Sequence, residues 1–141
     1  MADHDMDYVL DDQVGYLMRL ANQRHAAIFQ SLTLEGLTAM QFAALVRIAE
    51  QGKCSQNRLG RLAAMDVATI KGVADRLRAK GLTVTEPDPD DRRRTLISLS
   101  DKGRTLLDQM YTRGNEITAA TLAPLTPSER EELVRLLRKI T

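Results

Sequence analysis

"DPDDRRRTLISLS" occupies residues 88–100. Four acidic residues and two prolines crowd positions 86–91, and Arg92, Arg93 and Arg94 follow at once. Residues 95–100 then carry Leu96, Ile97 and Leu99. Upstream, "LTVTE" at 82–86 alternates as a strand does. The two runs read as a β-hairpin whose tip is residues 87–94. Arginines at such a tip cannot bury themselves in the parent fold. A tip of about this width can enter a DNA minor groove, where negative potential attracts arginine. Asp91, two residues before Arg93, can hold that guanidinium in place, although an exposed pair is worth only ~0–1 kcal/mol. The plainer reading is a solvated loop, and the segments on either side decide between the two.

Working outward, Val14, Leu17, Met18, Ala21, His25, Ile28, Phe29 and Leu32 recur at helical spacing and predict one long helix over about 10–32. "TAMQ" at 38–41 is a capping box that starts a second helix, with Leu37 and Phe42 at the staple positions. Phe42, Leu45, Val46 and Ala49 form its expected apolar stripe, and Gly52 ends it. Ser55 can cap a third helix with Leu59, Leu62 and Ala63 inward. Asp66 can cap a fourth, running to about Lys80 with Val67, Ile70, Val73, Ala74 and Leu77 inward, and Gly81 closes it. Beyond the hairpin, Ser100 can cap a fifth helix through Leu106, Leu107, Met110 and Ile117. "TPSE" at 126–129 is a second capping box opening a helix with Leu133, Leu136, Leu137 and Ile140. The expected fold is mostly α with a small β-hairpin. Two short helices joined by a tight turn at 63–65 and followed by a hairpin describe a winged helix-turn-helix.

The outward face of the fourth helix then becomes the candidate reader: Asp66, Ala68, Thr69, Lys71, Gly72, Asp75 and Arg76. Thr69 can hydrogen-bond a base or touch a thymine methyl, and Lys71 and Arg76 can reach a guanine edge or phosphates. Asp66 is primarily a cap. Gly72 inside a helix costs ~1 kcal/mol relative to alanine. That cost has two readings, close approach to a DNA groove or tight packing on a neighbouring helix. Ser55, Gln56 and Asn57 offer donors suited to phosphates. With Asp91, Arg92, Arg93 and Arg94 they complete the DNA-binding candidates.

Charge supports this placement. The net charge is +1, yet residues 53–94 hold 10 basic and 6 acidic side chains while residues 1–52 hold 3 and 7. A cationic middle third suits a polyanion. At 141 residues and 43% apolar composition with no Trp, the chain suits one compact aliphatic domain and argues against disorder. No apolar run approaches the ~20 residues of a membrane span, and "MADHDMDYVLDD" lacks a signal peptide's basic start. The lone Cys54 has no internal partner, so a cytoplasmic location is expected. Two histidines, His4 and His25, leave few nucleophile–base pairs, and no phosphate loop or metal-ligand spacing stands out. No enzyme activity, metal, cofactor or membrane partner is expected. "DHDMD" at 3–7 could hold a metal weakly but reads better as an acidic arm.

With these residues in hand, "DPDDRRRTLISLSDKG" resembles the wing signature of MarR-type regulators, D-x-R before an L-x-L-[ST] strand and a glycine-containing helix start. Asp91 and Arg93 match the first part; Leu96, Leu99 and Ser100 match the strand, with Ser where Thr is commoner. "RLAAMDVATIKGVADRLRAKGL" is similar to the family's helix-turn-helix pattern through Leu62, Ala63, Thr69, Leu77, Lys80, Gly81 and Leu82. The resemblance covers nearly the whole chain, 1–141. It implies a homodimeric regulator, usually a repressor, released from a palindromic operator on double-stranded DNA by a small ligand. It also implies dimerisation helices at about 10–32 and 101–141 around a winged lobe at about 38–100.

The effector candidates begin with the first helix, where Arg19 borders the apolar stripe and His25 lies within it. Arg19 offers a planar fork for a carboxylate and His25 a partner for a ring hydroxyl or carbonyl. Each has a plain alternative, a solvated or paired arginine and a satisfied core histidine. Thr38, Met40, Phe42, Met110 and Asn115 can supply walls and a polar contact. The family often binds aromatic carboxylates where dimer helices meet the DNA lobe. The expected effector is therefore an aromatic or heteroaromatic hydroxy-acid of hydroxybenzoate, hydroxycinnamate or hydroxynicotinate type, and the expected role is in aromatic-compound catabolism. Two alternatives stand beside this reading. One is a redox-sensing regulator using Cys54, although that residue precedes the third helix rather than lying in the first. The other is a helical interaction module that binds no DNA.

Overall fold

The structure is a computed structural model and describes residues 7–141. His4 and most of "DHDMD" lie outside them. In chain order come α1 (Val14–Leu32), α2 (Ala39–Gln51), β1 (Cys54–Ser55), α3 (Gln56–Leu62), α4 (Val67–Ala79), β2 (Thr83–Pro87), β3 (Thr95–Leu99), α5 (Asp101–Thr121) and α6 (Pro127–Lys139). This is the expected mostly helical chain with a wing. The chain divides into two compact units, one of Thr33–Asn115 and one of the chain up to Leu32 with Glu116–Thr141.

Capping chemistry sets most boundaries. The Thr38 hydroxyl accepts from the Gln41 amide at 3.2 Å while Gln41 Oε1 accepts from Thr38 N–H. Thr126 and Glu129 repeat the exchange before α6, with Pro127 at its first position. Ser55 receives Arg58 N–H and Asp66 receives Thr69 N–H, each relieving a helix-start donor. Gly52 and Gly81 end α2 and α4 in left-handed backbone, at φ 76° and 73°.

The winged unit is held by Leu37, Leu45, Ile48, Leu59, Ile70, Leu77, Leu82 and Met110, all essentially fully buried. α3 and α4 meet closely: a Cβ on Gly60 would stand 3.1 Å from Ile70 Cγ2 and from the Met65 carbonyl. Met65 N–H donates to the Gly60 carbonyl across the turn, where Ala64 takes φ 56°. The wing is anchored at Ser100. Its hydroxyl donates to the Gly81 carbonyl at 2.6 Å and accepts from Gly103 N–H at 3.0 Å, while its own N–H donates to the Leu82 carbonyl. A Cβ on Gly103 would collide with that same Leu82 carbonyl, so the motif's glycine is a steric requirement.

Several expectations need correction. α1 begins at Val14 because residues 10–12 form a 3-10 turn and Gln13 is extended, its side chain donating to the Val9 carbonyl. α2 buries Gln41, Ala44, Leu45 and Ile48, not Val46 or Ala49, and leaves Phe42 only half-buried. Both sets obey helical spacing, and polar Gln41 concealed the true one; engagement of its Oε1 in the capping box makes burial tolerable. Leu62 and Ala63 on α3 are half-buried rather than core. Val67 is exposed, since it begins α4 at the edge of the stripe made by Ile70, Val73 and Leu77. The hairpin gains a third strand, order β1-β3-β2, with Cys54 opposite Ile97 and Ser55 opposite Leu96. Two residues carry no periodicity, so β1 was invisible. Finally, residues 101–115 belong with the winged unit, where Leu106, Leu107 and Met110 are buried.

In the other unit, Arg24 donates to the carbonyls of Ala120 and Thr121 at the end of α5, a cation on the negative helix terminus. The first half of the α1 stripe, Val14, Leu17, Met18 and Ala21, is exposed, as are Leu133, Leu136 and Leu137 of α6 and Ile140 just past its end.

Candidate nucleic-acid interface and effector residues

The start of α3, the outer face of α4 and the wing all belong to the winged unit. The β1–β3 pairing joins them directly, because Ser55, which caps α3, sits opposite Leu96 of the wing. Gln56 is half-buried and Asn57 exposed.

Along α4, Asp66 Oδ1 accepts from Thr69 N–H at 2.7 Å. That hydrogen bond holds the Asp66 carboxyl below its ordinary range. Asp66 is thus a cap first, as its position suggested. Ala68 is exposed and Thr69 half-buried. Lys71 reaches Asp75 at 3.1 Å, an exposed pair one turn apart whose cation is cheaply redirected to a phosphate or base. Arg76 is exposed. Of the two readings of Gly72, packing on a neighbouring helix finds no support: a Cβ there would meet nothing nearer than Arg76 Nη1 at 3.9 Å. No neighbouring helix demands a glycine, and the space faces outward.

The wing tip is a built turn. Asp88 N–H donates to the Arg94 carbonyl and Arg94 N–H to the Asp91 carbonyl. Asp91 Oδ1 accepts Arg93 N–H at 3.1 Å and lies 3.4 Å from Arg93 Nε. The expected Asp91–Arg93 pair is therefore present, while 92% of the Arg93 side chain faces solvent. Arg94 differs from the expected free cation. Its Nε lies 3.6 Å from Asp88, whose side chain is only 11% exposed, and 3.7 Å from Asp91. Arg94 braces the turn and Arg93 projects from it; Arg92 is also exposed.

A groove of about 180 Å³ lies between α4 and the sheet, lined by Asp75, Arg78, Thr85 and Thr95 with Gln56 of α3 at its edge. Arg78 lines this groove, and Val67 stands exposed at the start of α4; the sequence pattern singled out neither as a surface position. Arg78 read as one cation among many, and Val67 as core.

The effector candidates divide between the units. On α1, Arg19 is exposed with its guanidinium 5.4 Å from the centre of the Tyr16 ring. His25 is half-buried, and its Nδ1 lies 2.8 Å from Thr121 Oγ1. The Thr121 hydroxyl donates to the Ile117 carbonyl, so it accepts from His25 Nδ1–H, and Nε2 is the ring nitrogen left for another partner. In the winged unit, Thr38 is occupied as a cap and Met40 and Asn115 are exposed. Phe42 packs edge-on against Tyr111 with ring centres 6.4 Å apart. Met110 is fully buried, its sulfur 3.9 Å from Thr33 Oγ1, so in this conformation it is core rather than wall. A cavity of about 350 Å³ in this unit touches none of these candidates; it is lined by Leu99, Arg104, Leu107 and Tyr111 among others.

Cys54 is buried and burial pushes its thiol above the ordinary value, a passive apolar setting. Among the described residues no His, Cys, Asp and Glu group is arranged for a metal ion, and no helix is long and apolar enough to cross a membrane.

A helix-turn-helix with an outward-facing second helix and a braced arginine wing is the architecture of a DNA-binding regulator. Residues 35–94 match the model of the MarR family. The chain is 40% identical over 134 residues to the HTH-type transcriptional repressor NicR of Pseudomonas putida, covering 94% of this chain and 85% of that one. A probable transcriptional regulator from Pseudomonas aeruginosa superposes with a TM-score of 0.92 at 51% identity, covering 94% of this chain and all of the other. BpsR of Bordetella bronchiseptica, whose DNA binding is regulated by 6-hydroxynicotinic acid, gives 0.89 at 42%, covering 94% and 96%. The chain belongs to the MarR family of winged helix-turn-helix transcriptional regulators.

Proposed function

We propose that the protein is a homodimeric repressor that binds a palindromic operator on double-stranded DNA and leaves it when an aromatic or heteroaromatic hydroxy-acid binds. The observation that carries the DNA reading is the shared placement of the α4 outer face and the solvent-projecting Arg93 on one unit, with Gly72 unobstructed between Thr69 and Arg76. Thr69 and Lys71 read bases; Asn57, Arg76 and Ser55 hold phosphates; Arg93 enters the minor groove. Self-association is supported by the apolar residues that α1 and α6 expose, because an unpartnered aliphatic face of this kind is a docking surface. A cytoplasmic location follows from the partner.

For the effector, Arg19 supplies the carboxylate fork and His25 Nε2 accepts from a ring hydroxyl, the tautomer being held by Thr121. BpsR, 42% identical, responds to an acid of this type. Regulation of aromatic-compound catabolism is the corresponding role. Release requires the acid to favour the conformation that binds DNA poorly, since only differential affinity shifts the equilibrium. The test is a binding-site selection on random duplexes, followed by fluorescence anisotropy on the selected site with 6-hydroxynicotinic and 4-hydroxybenzoic acids added. A selected palindrome with half-sites about one helical turn apart, released by one of the acids, is the expected result. No sequence preference at any salt concentration overturns the DNA reading; preference without release overturns the effector reading.

A further inference from the structure

The outer face of α4 begins with a residue that has no reason to be apolar for the fold. Val67 is 72% exposed, and the inward stripe of α4 runs through Ile70, Val73 and Leu77 without it. Asp66 caps the helix start, so Val67 contributes nothing to the cap. A β-branched residue is also not favoured by helix propensity. Four residues on, Lys71 lies on the same line of the helix, followed by Asp75, both well exposed; side chains at i and i+4 share a face. Exposed Ala68 lies beside it. The face therefore starts with an isopropyl group and an adjacent methyl, then turns cationic. In the major groove the apolar feature of a base edge is the C5-methyl of thymine, and short aliphatic side chains pack against it.

We infer that Val67 is a specificity-determining residue that reads a thymine methyl group in each half-site. The inference rests on the DNA-binding reading above and extends it to a residue that periodicity assigned to the core. Valine has no side-chain donor or acceptor, so it adds nothing to phosphate binding. It discriminates thymine, or 5-methylcytosine, from cytosine by contact alone.

The experiment uses the full-length protein and a duplex obtained by binding-site selection. Each conserved thymine of the selected site is replaced in turn by deoxyuridine, which removes the methyl and keeps every hydrogen-bonding group. Burying one methyl is worth ~0.8 kcal/mol, about fourfold in Kd, or about fifteenfold when both half-sites are changed. Wild type should lose this much at one thymine position per half-site. Val67→Ala should bind the thymine duplex several-fold more weakly and lose the sensitivity to deoxyuridine at that position, with its salt dependence unaltered. Val67→Thr, which keeps one methyl, should retain part of it. Thermal unfolding of each variant without DNA reports that folding is intact, as expected at an exposed position. If wild type selects a site and binds it but Val67→Ala remains as sensitive to deoxyuridine as wild type at every position, the inference is wrong and the DNA reading survives. If no site is selected at all, it is the DNA reading that has failed.

Discussion

Replacing Gly72 by alanine should stabilise the protein and weaken its grip on DNA. Glycine in a helix interior is ~1 kcal/mol less favourable than alanine, because its backbone loses more freedom on folding. The added Cβ would meet only Arg76 Nη1, at 3.9 Å, an ordinary van der Waals distance to the end of a flexible side chain. Nothing in the folded chain offsets the gain, so the full ~1 kcal/mol should appear as a rise of about 3 °C in melting temperature at fixed protein concentration. Bound DNA changes the sign. If α4 lies against the groove wall with Gly72 at its closest approach, a methyl there is overpacked. Overpacking costs about 1–3 kcal/mol, roughly 5- to 150-fold in Kd. Denaturant unfolding and fluorescence anisotropy on the selected operator measure the two halves separately. A variant that is stabilised and binds DNA as tightly as wild type would refute the close approach of α4. A variant that is destabilised would refute the open space seen at Gly72.

The glycine in the first turn of α5 should behave oppositely. Gly103→Ala drives a Cβ into the Leu82 carbonyl, which backbone cannot yield cheaply, and should lower stability by about 3 kcal/mol or more in chemical unfolding; a neutral result would mean that α5 can move freely off the sheet. Arg93→Ala should weaken binding to all duplexes and flatten the dependence of log Kd on log salt by about 0.9 for each phosphate no longer neutralised, with smaller effects at Arg92 and Arg94; an unchanged slope would exclude Arg93 from the interface. Thr69→Ala should alter the consensus recovered in site selection, and an identical consensus would remove Thr69 as a base reader. Arg19→Ala and His25→Ala should leave operator binding nearly intact and abolish release by the acid, so release at the wild-type concentration would place the sensor elsewhere.

What the sequence determined by itself was everything governed by nearest neighbours along the chain. Thr38 with Gln41, Ser55, Asp66, Ser100 and Thr126 with Glu129 start helices through bonds that span three residues. Asp91 and Arg93, two apart, pair as their spacing suggested. Arg92 and Arg93 were legible as solvent-facing cations because a proline- and aspartate-rich tip leaves them no interior partner. Tertiary structure alone decided which of two helical stripes on α2 faced inward, since both have the period of a helix and only packing against α4 and the sheet distinguishes them. It alone paired Cys54 and Ser55 with residues more than forty positions away. It turned Arg94 back onto Asp88, and it left Val67 outside. Long-range contacts of this kind depend on where the chain returns in space, and periodicity within one segment carries no record of that.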